Sequence, residues 1–194
     1  MQKQGSNSRK RVSRVFPQGI AFNQEYSFVH SPELRRQLNN AKRIVVKIGT
    51  DVITKNSNPL DKELDLAAMR HIVRQIGALH SNFGKQVIIV TSGAVGSGKN
   101  VLSNAGKNVP SDITGLRLAK LHAAVGQPAL MQQYVKLFDG LKKGIAVAQV
   151  LPSRNDFNER NTKIVVPEFQ QGIEDMLKTG IIPIINENDP LSTA

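Results

Sequence analysis

Short apolar runs alternate along this chain with longer segments whose apolar residues return at helical spacing. Ile44-Val45-Val46-Lys47-Ile48 is mostly β-branched, stops at Gly49 and reads as a buried strand. Leu64 to His80 follows, with Leu64, Ala67, Ala68, Ile72, Ile76 and Leu79 near a 3.6-residue period. Gln86 to Val90 is a second apolar run. Leu116 to Leu141 is helical for most of its length, with breaks expected near Gly126 and Pro128. Ile145 to Leu151 is a third strand, Phe169 to Lys178 a helix ending at Gly180, and Ile181 to Ile185 a fourth strand. Ahead of them, Ser31-Pro32-Glu33 carries the signature of a helix start, with the helix running to about Asn40. Strands that are apolar throughout are covered on both faces, and strand–helix–strand repetition gives a parallel sheet between helices. The expected class is α/β, a three-layer α/β/α sandwich with a mainly parallel sheet.

An open parallel sheet binds ligands beyond the carboxyl ends of its strands. The informative residues are therefore Gly49-Thr50-Asp51, Thr91-Ser92-Gly93-Ala94, Pro152-Ser153-Arg154 and Asn186-Glu187-Asn188-Asp189. Each has a bland reading beside the functional one. Lys47 inside an apolar strand needs a partner if buried, and is either a cation for phosphate or a lysine snorkelling to the sheet end. Gly49 and Gly93 either turn the chain or let backbone N–H groups approach an anion. Ser92 is a helix cap or a ligand. Asn186 to Asp189 is a turn or a polar site. Gly96-Ser97-Gly98-Lys99 has phosphate-loop composition but not the P-loop spacing. No serine sits in a G-x-S-x-G elbow, and His30, His71, His80 and His122 follow no ligand spacing.

Charge modifies this picture at one end. The chain carries a net +11, but nine Lys/Arg against two acidic residues fall within residues 1 to 43. Residues 1–31 read as a basic, disordered tail, with Arg9, Lys10, Arg11 and Arg14 clustered and no acid before Glu25. That composition suits a mitochondrial transit segment, an extension without an address, or a nucleic-acid-binding arm. The body is only mildly basic, as suits an enzyme of anionic substrates. With no cysteine in the chain, disulfides and thiolate chemistry are excluded. No apolar stretch approaches the roughly 18 residues of a membrane span.

Four blocks carry a family resemblance. They are Val45 to Thr50, Val90-Thr91-Ser92-Gly93-Ala94-Val95, Ala123-Ala124-Val125-Gly126-Gln127 with Leu130, Met131 and Tyr134, and Ile182 to Asp189. In this order and spacing they resemble the glutamate 5-kinases of the amino-acid kinase family, including the kinase part of bifunctional pyrroline-5-carboxylate synthases. The resemblance runs from about residue 41 to the end. It implies the amino-acid kinase fold and ATP-dependent phosphorylation of the γ-carboxylate of L-glutamate, in proline biosynthesis. Lys47 then meets the ATP phosphates as the catalytic cation, and Gly49 and Thr50 line the phosphate path. Ser92, Gly93, Asn186 and Asp189 hold glutamate. ATP and Mg²⁺ are the implied cofactors, with no metal-ligating residue assigned. The implied assembly is a homo-oligomer without nucleic acid or membrane, and the implied place is the cytoplasm, or the mitochondrion if the tail is a transit peptide.

Three departures qualify the match. Asp51 stands where the family has Ser or Ala, beside the phosphate path, and Asn161 to Gln171 lacks the family's asparagine pattern. The family also continues with an Asp-Asn-Asp loop and a nucleotide lobe bearing a second lysine. Residues 32–194 are therefore expected to be the N-terminal, glutamate-binding lobe only, with little turnover by themselves. The alternative expectation is a non-catalytic remnant that binds glutamate or a full-length partner.

Overall fold

The computed structural model describes residues 32–55, 63–158 and 163–191. The basic tail of residues 1–31 and its expected disorder lie outside the described residues. The chain divides into two units at Ala41. In the first, helix α1 spans Pro32–Asn40, with Glu33 in its first turn accepting from Arg36 and from Gln37.

The second unit holds four strands and four longer helices among its described residues. In order they are β1 (Arg43–Lys47), α2 (Leu66–Phe83), β2 (Gln86–Val90), α3 (Ala94–Asn104), α4 (Gly115–Asp139), β3 (Val147–Val150), α5 (Val165–Lys178) and β4 (Ile182–Ile185). The sheet runs β1-β2-β4-β3 with every pairing parallel, which gives the expected α/β/α sandwich. Alternate residues of β2 feed different cores. Val87 and Ile89 join the larger cluster with Met69, Val73 and Ile76 of α2 and Leu130, Tyr134 and Phe138 of α4. Ile88 joins Ile173 and Leu177 of α5 on the opposite face. The connection from β3 back to β4 thus lies on the other face from the connections that advance across the sheet, as uniform crossover handedness requires. Pro183 lies in β4 with no N–H to give, and β4 pairs with β2 only beyond it, at Ile184 and Ile185.

Several expectations change. The first strand is not buried on both faces: Ile44 and Val46 turn inward while Arg43, Val45 and Lys47 are exposed, Val45 by 60%. Among the described residues β1 is a sheet edge, and Arg43 ties it to α5 by donating to Glu174 at 2.6 and 2.8 Å. The guanidinium holds the Glu174 carboxyl below its ordinary value. β3, the other edge, is likewise only partly covered, with Gln149 exposed.

The helix after β1 begins at Leu66, because Asp65 caps it by accepting from the N–H groups of Ala67 and Ala68; Leu64 instead bridges to Thr54. The last helix starts earlier than read, at Val165. α4 passes through Gly126 and Pro128 without interruption. Pro128 and Ala124 are both exposed, so the carbonyl deprived of its i+4 donor meets water. Gly126 is needed for a different reason. A Cβ there would lie 1.9 Å from the Ala94 carbonyl oxygen and 2.2 Å from the Gly98 nitrogen. A Cβ on Gly98 would lie 1.7 Å from the His122 carbonyl oxygen. α3 and α4 therefore meet backbone to backbone. The Gly-Ser-Gly before Lys99 is a helix crossing point rather than a phosphate loop.

Candidate functional site

At the carboxyl edge of the sheet, the segments after β1, β2 and β4 border a cleft of about 670 Å³. Thr50 comes from the first, in a 3₁₀ turn over Thr50–Val52. The turn is held by Thr54, whose hydroxyl donates to the Thr50 carbonyl at 2.8 Å. Ser92 and Gly93 come from the second, and Asn186, Glu187 and Asp189 from the third. The wall opposite is helical, with Lys99 of α3 and Leu118 and His122 of α4.

Backbone bonds extend the sheet into these loops. Thr91 N–H donates to Ile185 at 2.9 Å, Asn186 N–H to Val150 at 3.1 Å, and Asn188 N–H to Pro152 at 2.8 Å. Gly93 then takes φ 107°, where a side chain would be strained, and its would-be Cβ faces Ile53 Cδ1 at 3.3 Å. It occupies the N-cap position of α3 with no side-chain cap, so Ser92 is not the cap. The first turn of α3 borders the cleft through Val95 and Gly96 with its backbone donors unclaimed by a capping side chain.

Two buried hydrogen bonds from α4 hold the loops. The Tyr134 and Thr91 hydroxyls lie 2.7 Å apart, and Thr91 in turn donates to the Ser92 carbonyl at 3.3 Å, which makes Tyr134 the donor of the pair. Burial pushes the Tyr134 hydroxyl up to about 12, so it keeps its proton. Tyr134→Phe would leave Thr91, itself buried, short of one partner. The expected loss is about 1–3 kcal/mol of stability, read from the urea midpoint. The second bond runs from Asn186 Nδ2 to Gln127 Oε1, at 2.6 Å.

The cleft is electrically two-sided. Glu187 and Asp189 stand on the β4 side, Lys99 and His122 on the helical side. Burial, and secondarily the charge of Glu187, raise the Asp189 carboxyl above the ordinary aspartate value. Burial, with Lys99 beside it, lowers His122. A raised acid with no counter-cation among the described residues suits an ammonium ligand, and Lys99 on the opposite wall suits a carboxylate.

Of the residues expected from sequence, Thr50, Ser92, Gly93, Asn186 and Asp189 line one cleft. Lys47 and Gly49 do not. Lys47 is exposed and so needs no buried partner, and Asp51 is exposed in the adjoining turn. Pro152-Ser153-Arg154 borders a separate recess of about 470 Å³ that shares Glu187 with the main cleft. Lys99, His122 and Leu118 were not expected there. They reach it from helix interiors, and the only hint of Lys99 was the glycine-rich stretch before it.

Comparison with known proteins shows the family. The amino acid kinase family model matches residues 42–194. Glutamate 5-kinase of Symbiobacterium thermophilum is 38% identical over 160 residues, covering 82% of this chain and 55% of that protein. The Geobacter sulfurreducens glutamate 5-kinase is 40% identical over 152 residues, covering 78% and 37% respectively. This chain thus spans about half the length of such relatives, or less. Among solved structures, carbamate kinase from Giardia lamblia bound to AMP-PNP superposes with a TM-score of 0.50 at 13% identity, over 79% of this chain and 59% of that one. The likeness shows the shared fold.

Proposed function

The chain belongs to the amino acid kinase family, and on that premise we propose that it supplies the glutamate-binding lobe of a glutamate 5-kinase in proline biosynthesis. The observation that carries this reading is the two-sided cleft that gathers Ser92, Gly93, Asn186 and Asp189 beside Thr50. Asp189 takes the ammonium of L-glutamate. Ser92, the first-turn N–H groups of α3 and Lys99 take its carboxylates. A γ-carboxylate oxygen attacks the terminal phosphorus of ATP, the bond from that phosphorus to the ADP oxygen breaks, and γ-glutamyl phosphate and ADP result.

Lys47, Gly49 and Thr50 serve the phosphates. Lys47 is exposed at the β1 edge, and its flexible stem lets the ammonium follow a transferring group. The donor set fits ATP at its phosphoryl end, through backbone N–H groups, hydroxyls and a lysine. No group of three or more His, Cys, Asp or Glu that could hold a metal occurs among the described residues. Mg²⁺ does not require one, because it binds through phosphates, water and one or two carboxylates, and Glu187 lines the cleft. It would supply charge neutralisation across the phosphates.

The reading is tested in two steps. By calorimetry the chain should bind L-glutamate in preference to N-acetyl-L-glutamate, which has no ammonium, and to L-aspartate, which is one methylene shorter. The product of the full reading frame, given L-glutamate, ATP and Mg²⁺, should form hydroxylamine-trappable γ-glutamyl phosphate. Lys47→Ala should lower that rate while sparing glutamate affinity. Preference for the acetylated ligand, or a Lys47→Ala enzyme with full turnover, overturns the assignment.

A further inference from the structure

The Gln127–Asn186 bond decides more than the position of a loop. A primary amide is a donor at one end and an acceptor at the other, and the two ends have nearly the same shape. Free to rotate, Asn186 could offer the cleft either one. In this structure its Nδ2 is committed to Gln127 Oε1 at 2.6 Å, and no other side-chain bond of Asn186 is found among the described residues. The two residues are only 6% and 8% exposed, so water competes little for the bond. That bond uses one of the two Nδ2 donors and fixes the rotation of the amide, so the carbonyl oxygen is held in one place as an acceptor for a ligand. Asn186 and Asp189 line the same cleft, three positions apart on the loop after β4.

We propose that Gln127 is a positioning residue that fixes the Asn186 amide with its oxygen toward the cleft, so that the Asn186 carbonyl and the Asp189 carboxylate together form a subsite for a primary ammonium group. This deepens the kinase reading and rests on it. A subsite of a carbonyl and a carboxylate satisfies two of the three N–H bonds of an ammonium. It repels a carboxylate and offers nothing to an uncharged methylene. Selection for an α-amino dicarboxylate over the same dicarboxylate without the amine then depends on a residue of α4 that need not touch the ligand. Sequence spacing hides this dependence, because the two amides lie 59 positions apart.

The test separates the bond from its consequence. Gln127→Met keeps the length of the side chain and removes the acceptor. In nitrogen-15 spectra the Asn186 side-chain amide should lose its slow exchange in this variant. L-glutamate should bind about tenfold more weakly, the scale of one hydrogen bond to a charged group, and glutarate binding should change by less than about twofold. Gln127→Glu retains an oxygen acceptor and should keep both the protected amide and most of the affinity. Combining Gln127→Met with Asn186→Ala should weaken glutamate no further than Asn186→Ala alone, because Gln127 acts through Asn186. Thermal midpoints measured for every variant distinguish weakened binding from lost structure. If Gln127→Met does not fold, Gln127→Glu decides by itself, a loss of glutamate affinity with the fold intact counting against the proposal. Glutamate binding unchanged by Gln127→Met, or fully additive effects in the double variant, overturns the proposal alone. A chain that binds no glutamate overturns the kinase reading and the proposal with it.

Discussion

Gly126→Ala should cost the domain roughly 3 kcal/mol or more, the upper range for overpacking, and should abolish the cooperative transition if the starting stability is small. The added methyl would meet the Ala94 carbonyl oxygen at 1.9 Å and the Gly98 nitrogen at 2.2 Å. Both are backbone atoms, which cannot step aside as a flexible side chain does. Relief requires α3 to separate from α4, and that separation opens the wall of the cleft carrying Lys99 and His122. Gly172, in the middle of α5, has nothing within 4 Å of its would-be Cβ, and Gly172→Ala should leave stability unchanged or raise it by up to about 1 kcal/mol. Urea titrations of the two variants, followed by circular dichroism, make the comparison. A Gly126→Ala midpoint equal to that of Gly172→Ala would mean that the two helices are not in backbone contact.

The same contact explains what the sequence could and could not reveal. Local β-branched runs announced all four strands within a residue or two, because strand formation there agrees with local propensity. α3 gave no such signal. Ala94–Asn104 includes Gly96, Gly98, Ser97 and two asparagines, all weak helix formers. Its helix exists because α4 packs against it, which is tertiary information. The expected break of α4 at Gly126 failed for the complementary reason, since that glycine serves the neighbouring helix and not a turn.

Lys47 was legible as a strand residue but not as an exposed one, because an edge and a centre of a sheet differ in neighbours, not in local sequence. The polar loops after β2 and β4 were legible because topology alone sends them to one edge. Their counterparts Lys99, His122 and Gln127 depend on how two helices cross, which no single stretch of residues encodes.

Asp189→Asn is expected to trade binding for stability. In the unliganded domain the Asp189 carboxyl sits above its ordinary value, from burial first and from Glu187 second. For an acid, a folded-state value above the unfolded one means that the folded state prefers the protonated form. The penalty is therefore fully present above the raised value and fades as pH falls through it toward the unfolded value. Near neutral pH, Asp189→Asn removes this penalty with little change of shape, so its thermal midpoint should lie above that of the original chain. The advantage should shrink on acidification. Glutamate binding moves the opposite way. The neutral amide cannot neutralise an ammonium, and the affinity should fall by roughly a hundredfold, the scale of a hydrogen bond between charged partners. In the original chain the same affinity should weaken as pH falls through the raised Asp189 value, whereas Asp189→Asn should show no such inflection. Thermal scans and glutamate titrations across the acidic range measure both effects on one pair of proteins. A variant less stable than its parent at neutral pH would show that Asp189 is held by partners rather than strained by burial, and unchanged affinity would remove it from the ammonium site.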